Sequence, residues 1–120
     1  MSDIRRQWEA LRGHLEEEAQ GSKQSAIVHE GLSRAYAQLA MVDKETVNMV
    51  LSEYLLTDDL SKRYDARALV RRFKIVDAMP ALLALSAKLR SDPSATARKE
   101  LELISEIIGE LADDSAGLVN

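Results

Sequence analysis

The two histidines are the side chains in this sequence best suited to bind a metal ion or to act as a general base. His14 lies three residues before Glu17, a spacing that puts both side chains on one face of a helix. Such a pair holds a metal when two or more copies converge, but the second histidine, His29, has its acid at the adjacent position, Glu30. Adjacent side chains on a helix point apart. The pattern therefore predicts solvated or core-edge histidines and no metal site.

The sequence also lacks the usual nucleophile and phosphate-binding motifs. It contains no cysteine and no Gly-x-Ser-x-Gly turn. It also has no glycine-rich phosphate loop, because Gly13, Gly21 and Gly31 are isolated from one another. Its acidic residues fall on helix faces predicted to be exposed, where a carboxylate is a poor acid–base catalyst at neutral pH. We expect no catalytic residue, no enzymatic activity and no cofactor.

A basic stretch is the clearest charge pattern. Residues Lys62 to Lys74 include six Lys or Arg residues and a single acid. Within it, Arg63, Arg67 and Arg71 recur every four positions, so they form a stripe along one face of a helix, beside Tyr64. Guanidinium groups next to an aromatic ring can bind an acidic protein surface or a phosphate backbone. We therefore expect Arg63, Tyr64, Arg67 and Arg71 to contact a partner.

An acidic stripe offers an alternative interpretation. Glu102, Glu106 and Glu110 recur at the same interval of four in the predicted last helix. If the two helices are neighbours, the stripes neutralise each other and no binding site is left. Exposed ion pairs of this kind contribute only ~0–1 kcal/mol each. The sequence leaves internal pairing and partner binding both open.

Composition limits the class of protein. The chain has 120 residues, which suits one domain, and its net charge of −4 makes nucleic acid a less favoured partner than protein. The amphipathic start is unlike a secretion signal. The longest unbroken apolar run, Ala78 to Leu85, is far shorter than the ~20 residues that cross a bilayer. We expect a cytoplasmic protein that does not interact with membranes.

Apolar residues recur every three or four positions along the chain, so the predicted fold class is all-α. We expect about six helices, and their short connections predict three antiparallel hairpins. The hairpins are predicted to cover residues 1–42, 44–73 and 76–112 of a single domain, 1–112, with a disordered tail over 113–120. Predicted helix caps are Asp43, Asp77 and the Ser91-Asp92-Pro93 turn, with Pro93 at the first helical position.

Several core positions follow from the same periodicity. Trp8 lies on the apolar face of the first helix with Ile4, Leu11 and Leu15, which predicts a core position. Phe73 is predicted to face inward. Met41, Met49 and Met79 are predicted to fill gaps in helix packing.

An offset of 34 positions aligns the second and third predicted hairpins. At this offset the turn residue Asp58 aligns with the turn residue Asp92. Apolar residues before and after the turn align as well. The aligned apolar pairs are Leu51 with Leu85, Leu55 with Leu89, Leu69 with Leu103, Val70 with Ile104, and Phe73 with Ile107. The alignment predicts an internal repeat.

The last hairpin resembles a HEAT or armadillo-type helical repeat. It has the run Ala78-Met-Pro-Ala-Leu-Leu-Ala-Leu, then Asp92-Pro93, then Ala97-Arg98 and the apolar stripe of the last helix. The unit before it is similar but has no Pro in its first helix. The resemblance covers about residues 44–112 and implies a short, right-handed stack of hairpins; an irregular helical bundle is the alternative. It implies a binding surface and no chemistry.

Together these patterns predict a non-catalytic protein–protein interaction module. Small, acidic, cysteine-free helical proteins are similar to bacterial immunity or inhibitor proteins, which cover a partner's surface. The alternative function is a small nucleic-acid or phosphate-binding protein that uses the same basic stripe. A third hypothesis is self-association through the first helix.

Overall fold

The computed structural model describes residues 3–19 and 25–119, and within these ranges the chain is helical with no β-strand. The all-α prediction is therefore confirmed. The described residues form five α-helices and one short 3-10 turn: α1 (Asp3–Ala19), α2 (Ser25–Leu55), α3 (Leu60–Phe73), the 3-10 turn (Val76–Ala78), α4 (Met79–Arg90) and α5 (Ala95–Val119). None of these helices combines the length and the apolar composition needed to cross a membrane.

Helix α2 includes two of the six predicted helices, joined at Asp43 without a loop. Asp43 has non-helical backbone angles, φ −156° and ψ 82°. Its carboxylate accepts hydrogen bonds from the Thr46 backbone N–H at 3.1 Å and from the Thr46 hydroxyl at 2.6 Å. Asp43 thus caps the second half of α2 as predicted. The helix count differs because the chain changes direction over one residue.

Helix α3 begins and ends with well-defined caps. The Asp59 carboxylate accepts hydrogen bonds from the backbone N–H groups of Ser61 (2.9 Å) and Lys62 (3.3 Å). At the other end, Lys74 adopts left-handed angles, φ 53° and ψ 55°, and its N–H donates to the Val70 carbonyl. A left-handed residue directly after the last helical turn is the common way to end a helix.

The predicted cap at Asp77 is wrong. Asp77 lies within the 3-10 turn, and α4 begins at Met79 with Ala78, not Asp77, at its N-cap position. Pro80 does lie in the first turn of α4, as predicted, since a proline there loses no hydrogen bond. The 3-10 turn explains the difference, because its own backbone bond from Ala78 to Ile75 leads the chain into α4.

The predicted position of Pro93 is also wrong, because α5 begins at Ala95. The Ser94 hydroxyl caps the helix by accepting from the Ala97 N–H at 3.1 Å, and Asp92 accepts from the Ser94 N–H at 2.9 Å. At its far end α5 stays helical to Val119, beyond the predicted end near Ala112. Asn120 lies outside the described residues, and the predicted disorder of 113–120 stays a prediction.

The chain divides into two compact units, Met1–Val50 and Leu51–Asn120. In the first unit, Trp8 is completely buried, as predicted, whereas Leu11 is partly exposed. The Tyr36 hydroxyl donates a buried hydrogen bond to Asn48 Oδ1 at 2.7 Å. These two residues lie on opposite sides of Asp43, so within the first unit the bond joins the helical segments that precede and follow that residue.

In the second unit, α5 packs against α4 and α3. Its core consists of aliphatic residues from the end of α2 and from α3, α4 and α5: Leu51, Leu55, Ala66, Leu69, Val70, Leu82, Leu85, Leu89, Ile104, Ile107 and Leu111. Phe73 is exposed instead of facing inward. The prediction that methionines fill packing gaps is wrong for Met41 and Met49, which are both exposed.

The cap of α3 can be tested by removing its acceptor. We expect Asp59→Ala to lower the free energy of unfolding by about 1 kcal/mol, because two backbone N–H groups lose their partner. Asp59→Ser, which keeps an acceptor oxygen, is the control and should lose much less. Urea denaturation followed by far-ultraviolet circular dichroism measures both. An alanine variant as stable as the parent would show that the cap contributes nothing.

Two aspartates make the stability of the protein depend on pH. The Thr46 side chain and backbone N–H lower the pKa of Asp43 by hydrogen bonding to its carboxylate. The Ser94 backbone N–H and hydroxyl do the same for the pKa of Asp92. Because both pKa values are lower in the folded chain, their stabilisation is present above the ordinary aspartate pKa of about 4. It is lost as the pH falls through the lowered values.

We therefore expect the free energy of unfolding to fall on acidification below about pH 4, with a shallower fall in the variant Asp43→Asn/Asp92→Asn. This variant should already be less stable than the parent at neutral pH. Asp113→Asn, at an exposed position of α5, is the control. Urea denaturation at a series of pH values measures the slope. An unchanged slope in the double variant would contradict the assignment.

Candidate functional site

The predicted basic stripe lies on α3, and its first arginine is buried against α5. Arg63 donates from Nε to Glu100 Oε2 at 3.0 Å and from Nη2 to Glu100 Oε1 at 2.6 Å. Its Nη1 donates to the Thr57 carbonyl at 3.1 Å. The side chains of Arg63 and Glu100 are only 9% and 8% exposed. The hydrogen bonds to Glu100 raise the pKa of Arg63, so the guanidinium is charged at every physiological pH.

The second arginine shares the same carboxylate. Arg67 Nη1 donates to Glu100 Oε2 at 3.3 Å. Its guanidinium also lies over the ring of Tyr64, 5.3 Å from the centroid, a distance at which a cation and an aromatic face attract each other. One glutamate thus accepts from two arginines, and the three side chains together have a net charge of +1.

The third arginine pairs at the surface. Arg71 donates from Nε and Nη2 to the two carboxylate oxygens of Glu110, at 3.1 Å and 2.7 Å. Glu106 lies 3.7 Å from the same guanidinium. The hydrogen bonds to Glu110 raise the pKa of Arg71. Arg71 and Glu110 are 40% and 47% exposed, so water screens this pair far more than the buried one.

The structure therefore shows internal pairing of the arginine stripe, one of the two alternatives left open by the sequence. Glu106 and Glu110 take part as expected, but Glu102 forms no ion pair with a residue that the structure describes. Glu100 is the main acceptor, and the sequence pattern missed it. Glu100 and Glu102 are two positions apart, which is about 200° around a helix, so only one of them can face α3. No signal in the sequence fixed that rotation.

The ion pairs also show the direction of the two helices. Arg63 meets Glu100, and Arg71, two turns further along α3, meets Glu110, further along α5. Residue numbers increase together on both helices, so α3 and α5 run parallel. Their N-termini consequently lie at the same end of the second unit.

An open groove lies between α3 and α5 at this end. We call it the α3–α5 groove, and its lining residues are Leu60, Tyr64, Arg67, Thr96, Lys99, Glu100 and Leu103. Leu60 and Tyr64 are 57% and 53% exposed, and Leu103 is also partly exposed. Of the four predicted site residues, Tyr64 and Arg67 line the groove, while Arg63 lies buried behind it and Arg71 lies further along the helix pair.

The other side chains considered as metal ligands do not lie together in the part of the chain that the structure describes. Among the residues that the structure describes, no group of three His, Asp or Glu side chains lies close enough together to hold a metal ion. His14 is exposed and His29 is half-buried, each on a different helix.

Comparisons with protein-family models, with curated proteins and with solved structures found no match to this chain.

The buried ion pair predicts a large difference between two similar substitutions. Glu100→Gln leaves two guanidinium groups of low exposure without an anion, so we expect the free energy of unfolding to fall by about 3 kcal/mol. Glu110→Gln removes a surface pair and should cost much less. Urea denaturation followed by circular dichroism compares the two.

A compensating variant tests the origin of this loss. Replacing both members of the most buried pair, in Arg63→Met/Glu100→Leu, removes one of the two guanidinium groups left without an anion, since Arg67 remains, and should recover part of the stability lost by Glu100→Gln. Equal losses for Glu100→Gln and Glu110→Gln would contradict the assigned role of the buried pair.

Proposed function

We propose that the protein is a non-catalytic protein–protein interaction module and that a partner docks on the α3–α5 groove. The observation that carries this proposal is the exposure of Leu60, Tyr64 and Leu103 side by side on two helices held together by ion pairs. Neighbouring exposed apolar side chains on a rigid support are typical of protein-binding surfaces, in which aromatic and arginine residues are enriched.

The packing of the second unit supports a HEAT-like arrangement. In a stack of helical hairpins, the second helices of successive hairpins lie side by side in parallel, as α3 and α5 do. The four residues between α4 and α5 make these two helices an antiparallel pair. In that arrangement α4 and α5 form one hairpin, and α3 takes the place of the second helix of the hairpin before it.

Burial at equivalent positions of the proposed repeat gives further support. Leu51 and Leu85, 34 positions apart, are both fully buried, as are Val70 and Ile104. Both turns also have a carboxylate near the same arginine: the pKa of Arg63 is raised chiefly by its hydrogen bonds to Glu100, and further by the charges of Asp58 and Asp92. Equivalence fails at two pairs: Leu103 is partly exposed while its counterpart Leu69 is buried, and Phe73 is exposed while its counterpart Ile107 is buried. The exposure of Leu103 provides the groove with an apolar residue.

The contact residues follow from this geometry. Tyr64 and Arg67 remain candidates for partner contact, because they line the groove. Arg63 and Arg71 act instead as positioning residues that hold α3 to α5. A module of this kind fits an inhibitor or immunity-type protein of the cytoplasm, which acts by covering a surface of its partner.

The remaining hypotheses have weaker support. Phosphate binding along the stripe is disfavoured because Arg63 is bonded to Glu100 and Arg71 to Glu110, so the stripe offers no row of available guanidinium groups to successive phosphates. Self-association through α1 is disfavoured because Ile4 and Trp8 are already buried.

Site-specific crosslinking tests the proposal. A photoreactive amino acid at position 64 should crosslink one protein in cells of the source organism, whereas the same group at Leu83, equally exposed on α4, should not. The crosslink at position 64 should be lost in Leu60→Ser/Leu103→Ser, and circular dichroism checks that this variant is folded. Crosslinks that disappear on nuclease treatment would favour the nucleic-acid alternative. Equal crosslinking from positions 64 and 83 would contradict a docking site at the groove.

A further inference from the structure

We infer that the α3–α5 groove receives a segment of the partner protein that contains both acidic and apolar residues. An apolar side chain would lie between Leu60 and Leu103, and carboxylates next to it would face Arg67 and Lys99. This inference rests on the proposed function and adds the chemistry of the partner. It follows from the charge, the apolar lining and the dimensions of the groove.

The charges at the groove are predominantly positive. Glu100 is the one acid among the lining residues, and its carboxylate already accepts hydrogen bonds from Arg63 and Arg67. Lys99 is exposed and forms no ion pair with another residue in the described part of the chain. The charged residues that line the groove, Arg67, Lys99 and Glu100, therefore sum to +1 in a protein whose net charge is −4. Such a reversal of sign favours an anionic occupant at this place.

The direction of the helices adds to this potential. Leu60 is the first residue of α3 and Thr96 is the second residue of α5, so both helix N-termini lie beside the groove. Each N-terminus has a partial positive charge from the aligned peptide dipoles. The Asp59 cap of α3 and the carboxylate of Asp92 before α5 reduce this contribution, so the side chains of Arg67 and Lys99 are the main source of positive potential.

The groove is also too small and too open for a typical ligand pocket. Its volume of about 250 Å³ is below the ~300–1,000 Å³ of most small-molecule sites. Leu60, Leu103 and the ring of Tyr64 form its apolar lining, and Arg67 lies over that ring. One or two side chains of a protein segment fit this surface, while the rest of the segment stays outside, where carboxylates reach the cations.

A matched set of peptides tests the inference. The probe is acetyl-Glu-Leu-Asp-Glu-Leu-Leu-Asp-amide, added to the full chain labelled with ¹⁵N. We expect chemical-shift changes concentrated on Leu60, Tyr64 and Leu103, with a dissociation constant of about 1 mM or below. A peptide with lysine in place of each acid should cause no such shifts, and neither should one with serine in place of each leucine.

Charge reversal at neighbouring positions provides the matched variants. Lys99→Glu should weaken binding of the acidic peptide about tenfold, because it replaces a cation of the groove with an anion. Arg98→Glu makes the same change in net charge one residue earlier, at an exposed position outside the groove. It should leave the dissociation constant nearly unchanged. Circular dichroism checks that both variants are folded.

The outcomes separate this inference from the proposed function. Binding of the lysine peptide in the groove would overturn the acidic partner while leaving the groove as a docking surface. No groove shifts with either peptide would also overturn the inference, and crosslinking at position 64 would then decide the proposed function by itself. Equal effects of Lys99→Glu and Arg98→Glu would show that only net charge matters, which also overturns it.

Discussion

Burying an arginine and a glutamate together removes both groups from water, and the free-energy cost is recovered only when nearly every polar atom finds a partner. Arg63 meets this requirement by donating to both oxygens of Glu100 and to the Thr57 carbonyl. A bidentate pair of this kind has a narrow range of allowed geometry. It therefore fixes the register of α3 against α5 more strictly than the aliphatic core beneath it, where leucines and isoleucines tolerate small shifts.

The rest of the α3–α5 surface depends on that register. Because Glu100 is occupied on one side by Arg63, Arg67 can reach it only from the groove side, where it also covers Tyr64. One turn later the same alignment brings Arg71 to Glu110 at the surface. The arginine stripe therefore changes role along the helix. It is structural at Arg63, borders the groove at Arg67, and is a screened surface pair at Arg71.

Local features of the fold could be predicted from the sequence, because their causes lie within a few residues. The break at Asp43 follows from an aspartate three residues before a threonine, and the burial of Trp8 follows from the apolar face of one helix. The predicted cap at Asp77 failed because the 3-10 turn over Val76–Ala78 delays the start of α4 to Met79, two residues beyond the aspartate.

Features that depend on two elements at once could not be predicted. The choice of Glu100 over Glu102 depends on how α5 is rotated against α3, and charge spacing along one helix does not contain that rotation. The exposure of Met41 and Met49 depends similarly on what packs against α2. The groove itself was missed because Leu103 continues an apolar stripe that is otherwise buried, and its exposure follows only from the position of α3.

The position of its tryptophan gives the protein an intrinsic fluorescence probe in one of its two compact units. Its single tryptophan, Trp8, belongs to the first compact unit and is fully shielded from water. Of its three tyrosines, only Tyr64 is exposed, and it belongs to the second unit. Indole emission therefore reports on the first unit alone, whereas far-ultraviolet circular dichroism reports on the helices of both units. Whether the two units melt together can be read by comparing these two signals in one unlabelled sample.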